Sequence, residues 1–152
     1  MATVAILGAG LGGVLAAYEI KAEASASERV VLISKGDTYH FVPSNPWVAV
    51  SWRNRDAIEV QLPSVMKRKG IEFLSMGAKR VHPAENRLEL SDGTSLAYDY
   101  LVIATGPDLA FDEIEGLGPE RFTQSICHVD HAERTATAFD LFCDAPGPIV
   151  VG

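Results

Sequence analysis

Short apolar runs alternate with mixed segments along the chain. Residues 3–10, TVAILGAG, are apolar throughout and end in glycine, the pattern of a strand buried on both faces of a parallel sheet. Residues 11–24, LGGVLAAYEIKAEA, are rich in Ala and Leu and predict a helix. Residues 29–34, RVVLIS, predict the next strand, and the three segments together make a β-α-β unit of about 30 residues. The rhythm then breaks at residues 39–53, YHFVPSNPWVAVSWR, which read as a rigid aromatic loop. Residues 61–70 predict a helix ending at Gly70, with Lys67, Arg68 and Lys69 in the last turn, where cations suit the helix dipole. A strand over 71–76 follows. Antiparallel strands over 79–82 and 87–90 flank PAEN, with SDGTS as a further turn. Residues 100–105 predict a very apolar strand ending in ATG, and residues 130–145 a helix with Asp130 as its N-cap. Residues 147–152, GPIVVG, predict another buried strand that ends in glycine.

This order defines an α/β fold: a Rossmann-like parallel sheet of the FAD/NAD(P)-binding kind with a small antiparallel insertion. The 152 residues suit one domain. The second strand-then-glycine start at 147–152 predicts a second nucleotide-binding unit that begins there. The domain over 1–152 is therefore expected to be partial, the first part of a longer protein. Composition changes this picture little, but charge narrows it. A formal net charge of −7 argues against nucleic acid as a partner, because phosphate backbones call for clustered Lys and Arg. The N-terminus lacks the basic start of a secretory signal, which favours the cytoplasm or the cytoplasmic face of a membrane. Two cysteines, Cys127 and Cys143, are too few for a disulfide framework.

Gly8, Gly10 and Gly13 spell G-x-G-x-x-G between strand and helix, so Gly8, Ala9, Gly10, Leu11, Gly12 and Gly13 form a candidate pyrophosphate site. The first glycine permits the tight turn, the second lets backbone approach the phosphates, and the third lets helix and strand pack closely. The helix N-terminus offers N–H groups to the anion. The acidic residue expected about 20 residues on, which would bind a ribose hydroxyl, is missing. Ser34 ends that strand and can offer a hydroxyl instead; Lys35 is either an adenosine-side phosphate ligand or simply solvated. Thr105 and Gly106 close the ATG strand, which can return backbone to the dinucleotide.

With these elements in place, five stretches together resemble sulfide:quinone oxidoreductase of the bacterial type: GAGLGGVLAAYEIK, FVPSNPWVAVSWR, YDYLVIATGP, SICHVDHAER and GPIVVG. The resemblance runs in order through essentially the whole chain and is most specific at 41–47 and 125–134. It implies a disulfide-reductase-like fold that holds FAD, oxidises sulfide to polysulfide or sulfur, and passes the electrons to a membrane quinone. It further implies peripheral membrane association on the cytoplasmic side and, in some members, homo-oligomers. It adds Pro43, Asn45 and Ala78 to the cofactor contacts, with Pro43 and Pro46 fixing backbone beside the flavin ring. Read without it, the same loop is a packed surface loop anchored in the core by Trp47 and Trp52. Family members commonly carry glycine where this chain has Ser51, so a backbone that needed positive φ there would be strained.

The resemblance also makes Cys127 a sulfide-side cysteine and His131 its catalytic partner, holding a proton or orienting the site. From the residues alone, a histidine can lower a thiol's pKa, but Cys127 can equally be a small buried hydrophobe. The spacing Cys127-His128-x-x-His131 matches no zinc pattern, so no metal is expected. His128 is given no role, His40 and His82 are structural or solvent-facing, and Cys143 is structural. The family's two sulfur-bridging cysteines are expected after Gly152, so these 152 residues alone should turn over weakly and retain FAD poorly. Three other readings compete: a type II NADH:quinone dehydrogenase, a flavocytochrome c flavin subunit, and a non-catalytic nucleotide-binding remnant.

Overall fold

The computed structural model describes residues 1–151. The elements run β1 (Thr3–Leu7), α1 (Leu11–Glu23), β2 (Arg29–Ile33), β3 (Thr38–His40), α2 (Asn45–Ala49), β4 (Glu59–Gln61), α3 (Leu62–Arg68), β5 (Glu72–Leu74), β6 (Ala78–His82), β7 (Arg87–Leu90), β8 (Ser95–Ala97), β9 (Tyr100–Ile103) and α4 (Val129–Asp144). The chain divides into two compact units. One comprises residues 1–39 and 60–107, the other 40–59 and 108–152.

The first unit is built on a four-stranded sheet of order β5-β2-β1-β9, with every pairing parallel. Ala5, Ile6, Val31, Leu32 and Ile33 are inaccessible to solvent, as continuous apolar runs on a sheet covered on both faces should be. On one face α1 and α3 close over Ile6, Val30 and Leu32, with Ala17, Leu62 and Met66 as their buried contributions. On the other face lies a three-stranded antiparallel sheet, β6-β7-β8, whose Leu88, Leu90 and Leu96 pack with Ala5, Val31 and Ile33. Asp99 fixes the start of β1: its carboxylate accepts the Thr3 N–H at 2.7 Å, and its own N–H donates to the Thr3 carbonyl at 2.9 Å.

Most expected elements of this unit form, within a residue or two at their ends. α3 starts at Leu62 with Pro63 in its first turn, where a missing N–H costs nothing, and Gln61, expected to begin the helix, instead ends β4. The turn at SDGTS leads into β8, a strand too short to announce itself.

In the second unit α2 packs on the start of α4, enclosing Val48, Ala49, Ile58, Val129 and Ala132. Three expectations are corrected here. The segment after His40 is not an irregular loop: Val42–Ser44 form a 3-10 turn that runs into α2, with proline in the first turn of each. The residue before α4 is His128, whose side chain makes no capping bond, and Asp130 sits inside the first turn, drawn to Arg55. Residues 147–151 form no strand; Ile149, Val150 and Val151 are exposed, and no other strand bonds to them among the described residues. An apolar run becomes a buried strand only where a neighbour completes its hydrogen bonds. Gly152, the last residue of that expected strand, lies outside the described residues.

Candidate functional site

The candidate residues fall in two sets, one on each unit. On the first, β1, β2 and β9 run parallel and in register, so the turns that follow Leu7, Ile33 and Ile103 all leave the same edge of the sheet. β1 is flanked by β2 on one side and β9 on the other, the switch point at which open α/β sheets bind ligands.

The glycine turn is built by sterics. Gly8 has φ +105°, and a β-carbon there would lie 2.3 Å from the Ala104 carbonyl oxygen. The ATG end of β9 thus presses against the first glycine, backbone to backbone. A β-carbon on Gly13 would lie 1.8 Å from the Gly8 carbonyl oxygen, so only glycine lets α1 start so close to the turn. Gly10 and Gly12 are different: a β-carbon on either would meet nothing within 4 Å. The first bond of α1 runs from the Val14 N–H to the Gly10 carbonyl at 3.0 Å, leaving the N–H groups of Leu11, Gly12 and Gly13 ahead of it. No acidic residue stands in that first turn. Free donors, open space and no competing carboxylate fit the phosphates of a dinucleotide.

Ser34 and Lys35 leave β2 at this edge. Ser34 is half-buried, its N–H donating to the Leu74 carbonyl at 2.8 Å, and Lys35 is exposed. Thr105 and Gly106 are exposed at the end of β9. Ala78 opens β6 and is half-buried against the core cluster of Leu88 and Leu90.

The second unit carries Pro43, Asn45, Cys127 and His131. Pro43 is exposed in the 3-10 turn, whereas Ser44 and Asn45 are fully buried. The Asn45 amide donates to the Ile126 carbonyl at 2.8 Å, across 81 residues of chain. Its Oδ1 is buried with no partner. Arg53 stacks 4.7 Å from the Trp47 ring centroid and donates to Ser44 Oγ at 2.9 Å, which pins the return of the segment. Ser51 adopts φ +59°, the left-handed region, so serine is strained where glycine would not be. Trp47 and Trp52 are not core anchors, being 39% and 76% exposed; a five-residue helix has too little apolar surface around it to bury two indoles.

Cys127 is a free, exposed thiol rather than a buried small hydrophobe, and Cys143 is also exposed and free, not a core residue. The Cys127 N–H donates to Ser125 Oγ at 3.2 Å, and the same hydroxyl lies 3.3 Å from His131 Nδ1. The structure therefore brings Cys127 and His131 together through Ser125. Thr135 Oγ1 lies 2.8 and 2.9 Å from the carbonyl oxygens of Ser125 and His131, which share its one hydrogen. The His131 ring also meets Phe111 and His128, with centroids 5.7 and 5.1 Å apart. His128 and His131 line a cavity of about 410 Å³ with Phe111, Asp112 and Arg121. Burial lowers the His131 pKa, and the nearby charges of His128 and Arg134 lower it further against weaker opposing pulls from Asp130 and Glu120. The His131 pKa thus lies below the ordinary histidine range.

Beside this set, Arg55 forms a fork with Glu133 at 2.6 and 3.0 Å, pairs with Asp130 and reaches Glu59 at 3.5 Å, while His40 donates to Glu59 at 2.7 Å. Hydrogen bonds from Arg55 hold the Asp130 and Glu133 carboxyls below their usual range, and the pair raises the pKa of Arg55. The sequence reading missed Ser125, Thr135 and Arg55. Arg55 and Glu133 stand 78 residues apart, and only the four-residue step from His131 to Thr135 on α4 carried any local signal.

The fold and the glycine turn together define a dinucleotide-binding module. The chain belongs to the pyridine nucleotide-disulphide oxidoreductase family, whose model matches residues 2–140. That family is one of FAD-binding flavoproteins. Within it, the chain is 34% identical over 149 residues to sulfide-quinone reductase of Aquifex aeolicus, covering 98% of this chain and 34% of that protein. It is 28% identical over 120 residues to the mitochondrial sulfide:quinone oxidoreductase of Mus musculus, covering 78% of this chain and 26% of that one. The solved structure of the Aquifex aeolicus sulfide:quinone oxidoreductase superposes with a TM-score of 0.88 at 33% identity, over 97% of this chain and 34% of that chain. An NDH2 structure from Plasmodium falciparum shares the fold, with a TM-score of 0.74 at 22% identity, over 95% of this chain and 30% of that one. The chain thus spans 34% of the length of its Aquifex aeolicus relative. Among the described residues, no helix is long and apolar enough to cross a membrane.

Proposed function

We propose that the protein takes part in FAD-dependent oxidation of sulfide, with the electron pair delivered to a membrane quinone. The observation that carries this reading is an exposed thiol, Cys127, whose backbone N–H donates to the same Ser125 hydroxyl that lies against His131, in a chain similar over 98% of its length to a sulfide-quinone reductase. A thiol and an imidazole on one segment suit sulfur chemistry, because HS⁻ and a thiol both arrive with a proton that must be taken up.

Bound FAD supplies a two-electron acceptor that reduced sulfur can fill and a quinone can empty. Gly8–Gly13 would hold its pyrophosphate, with the N–H groups of Leu11, Gly12 and Gly13 as donors and the open space at Gly10 admitting the phosphates. Ser34, Lys35, Ala78, Thr105 and Gly106 are assigned to the same cofactor, Ser34 as a ribose partner and Lys35 as an adenosine-side phosphate partner. Pro43 and Asn45 are assigned to the flavin end.

The proton chemistry falls to the second unit. Ser125 Oγ accepts the Cys127 N–H and has a second lone pair that can accept from His131 when Nδ1 carries the hydrogen. In that tautomer Nε2 is unprotonated, the nitrogen that can take up a proton from sulfide or from the Cys127 thiol. Quinone reduction places the working protein at a membrane surface, which we assign to peripheral association on the cytoplasmic side.

The experiment is turnover of sulfide with a soluble quinone analogue, using the protein expressed from its whole reading frame with FAD. Sulfide-dependent quinone reduction that falls when Cys127 becomes alanine is expected. NADH-dependent reduction of the same quinone with no response to sulfide would overturn the proposal.

A further inference from the structure

Two motifs stand far apart in the sequence: the SNPW helix start and the cysteine segment. One buried side chain joins them. Residues 123–127 have no helical or strand bonds of their own, so their position depends on side chains. Asn45, 0% exposed, donates its amide to the Ile126 carbonyl at 2.8 Å, and Thr135 Oγ1 donates to the Ser125 carbonyl at 2.8 Å. Consecutive carbonyls immediately before Cys127 are thus held from opposite sources, α2 and α4. Pro46 sits in the first turn of α2 and the apolar cluster of Val48, Ala49, Val129 and Ala132 locks α2 to α4, so neither anchor is free to follow the loop.

We infer that Asn45 and Thr135 are positioning residues that hold the Cys127 thiol at a fixed point. On this account the Asn45 amide serves the cysteine segment from inside the protein. The buried, unpartnered Oδ1 of Asn45 agrees with an amide kept for its one donor bond: the lost acceptor bond is tolerated because the donor fixes the segment. That the fixed thiol handles sulfur rests on the proposed function; that it is fixed does not.

The test is a nitroxide label on Cys127 with Cys143 and every other cysteine of the reading frame replaced by serine, so that one thiol is left to label. The continuous-wave EPR spectrum of the parent should be dominated by slow motion. Asn45→Ala and Thr135→Val should each convert most of it to the fast-motion form, and Thr135→Ser, which keeps the hydroxyl, should restore the parent spectrum. Far-UV circular dichroism checks that each variant is folded; if Asn45→Ala is not, the Thr135 pair decides. Fast motion already in the parent, or an unchanged spectrum in Thr135→Val, would overturn the inference. Loosening of the label in a protein that shows no sulfide turnover would leave the positioning intact and remove the proposed function.

Discussion

The glycine turn of the first unit and the proline-aromatic segment of the second are both rigid, for opposite reasons. The turn is shaped by atoms that are absent: β-carbons at Gly8 and Gly13 would fall 2.3 and 1.8 Å from carbonyl oxygens of the backbone itself. The segment at 41–53 is shaped by atoms that are present: the Asn45 amide, the Arg53 guanidinium on Trp47, and proline rings at the first turns. A backbone-built site tolerates almost no substitution at its contact points and is blind to pH. A side-chain-built site yields in graded steps and carries titratable groups.

The sharpest break of this comparison is Gly13→Ala. Its β-carbon would displace backbone rather than a side chain, so a loss of about 3 kcal/mol or more in unfolding free energy is expected by denaturant titration. Gly10→Ala should separate fold from ligand. With nothing within 4 Å and an ordinary φ of −74°, it should change stability by no more than about 0.5 kcal/mol. It should nevertheless weaken FAD binding, measured by quenching of flavin fluorescence, because the methyl enters the space assigned to the pyrophosphate.

In the second unit the effects are smaller. Asn45→Ala removes a buried donor and strands the Ile126 carbonyl, at a cost of about 1–3 kcal/mol by the same titration. Ser51→Gly runs the other way: relief of the left-handed strain at φ +59° should stabilise by about 1 kcal/mol.

The pH response completes the contrast. The folded pKa of His131 lies below its unfolded value, so between the two the unfolded chain binds more protons. Stability is therefore full above the ordinary histidine range and declines as pH falls through it. His131→Gln should flatten that part of a stability-against-pH curve. Asp130 and Glu133, both lowered by Arg55, add a second loss at more acid pH, as they are protonated below the usual carboxylate range. Arg55→Gln should remove that second loss while leaving the first.

The same contrast governs what the sequence discloses. Backbone rules leave local signatures, so β1, the glycine turn, α1 and β2 are legible from residues 3–34 almost to their ends. Ser51, at positive φ, is legible only through the resemblance, whose members commonly carry glycine at that position. Side-chain devices leave no such mark. Asn45 reaches a carbonyl 81 residues away, and Ser125 gains its meaning only from Cys127 and His131 around it. Over the described residues 147–151 the expected strand does not form, for a related reason: apolar composition states what a segment can bury, not whether a neighbouring strand pairs with it. Trp47 and Trp52 show the converse, large apolar residues left outside because the short α2 offers no core to enter.

The most direct measurement of the central claim is an anaerobic reductive titration of the FAD-loaded protein, made once with sulfide and once with NADH, following the flavin's visible absorbance. The account predicts that sulfide bleaches the flavin, that Cys127→Ala slows it, and that NADH does not substitute. Bleaching by NADH without any by sulfide would contradict it.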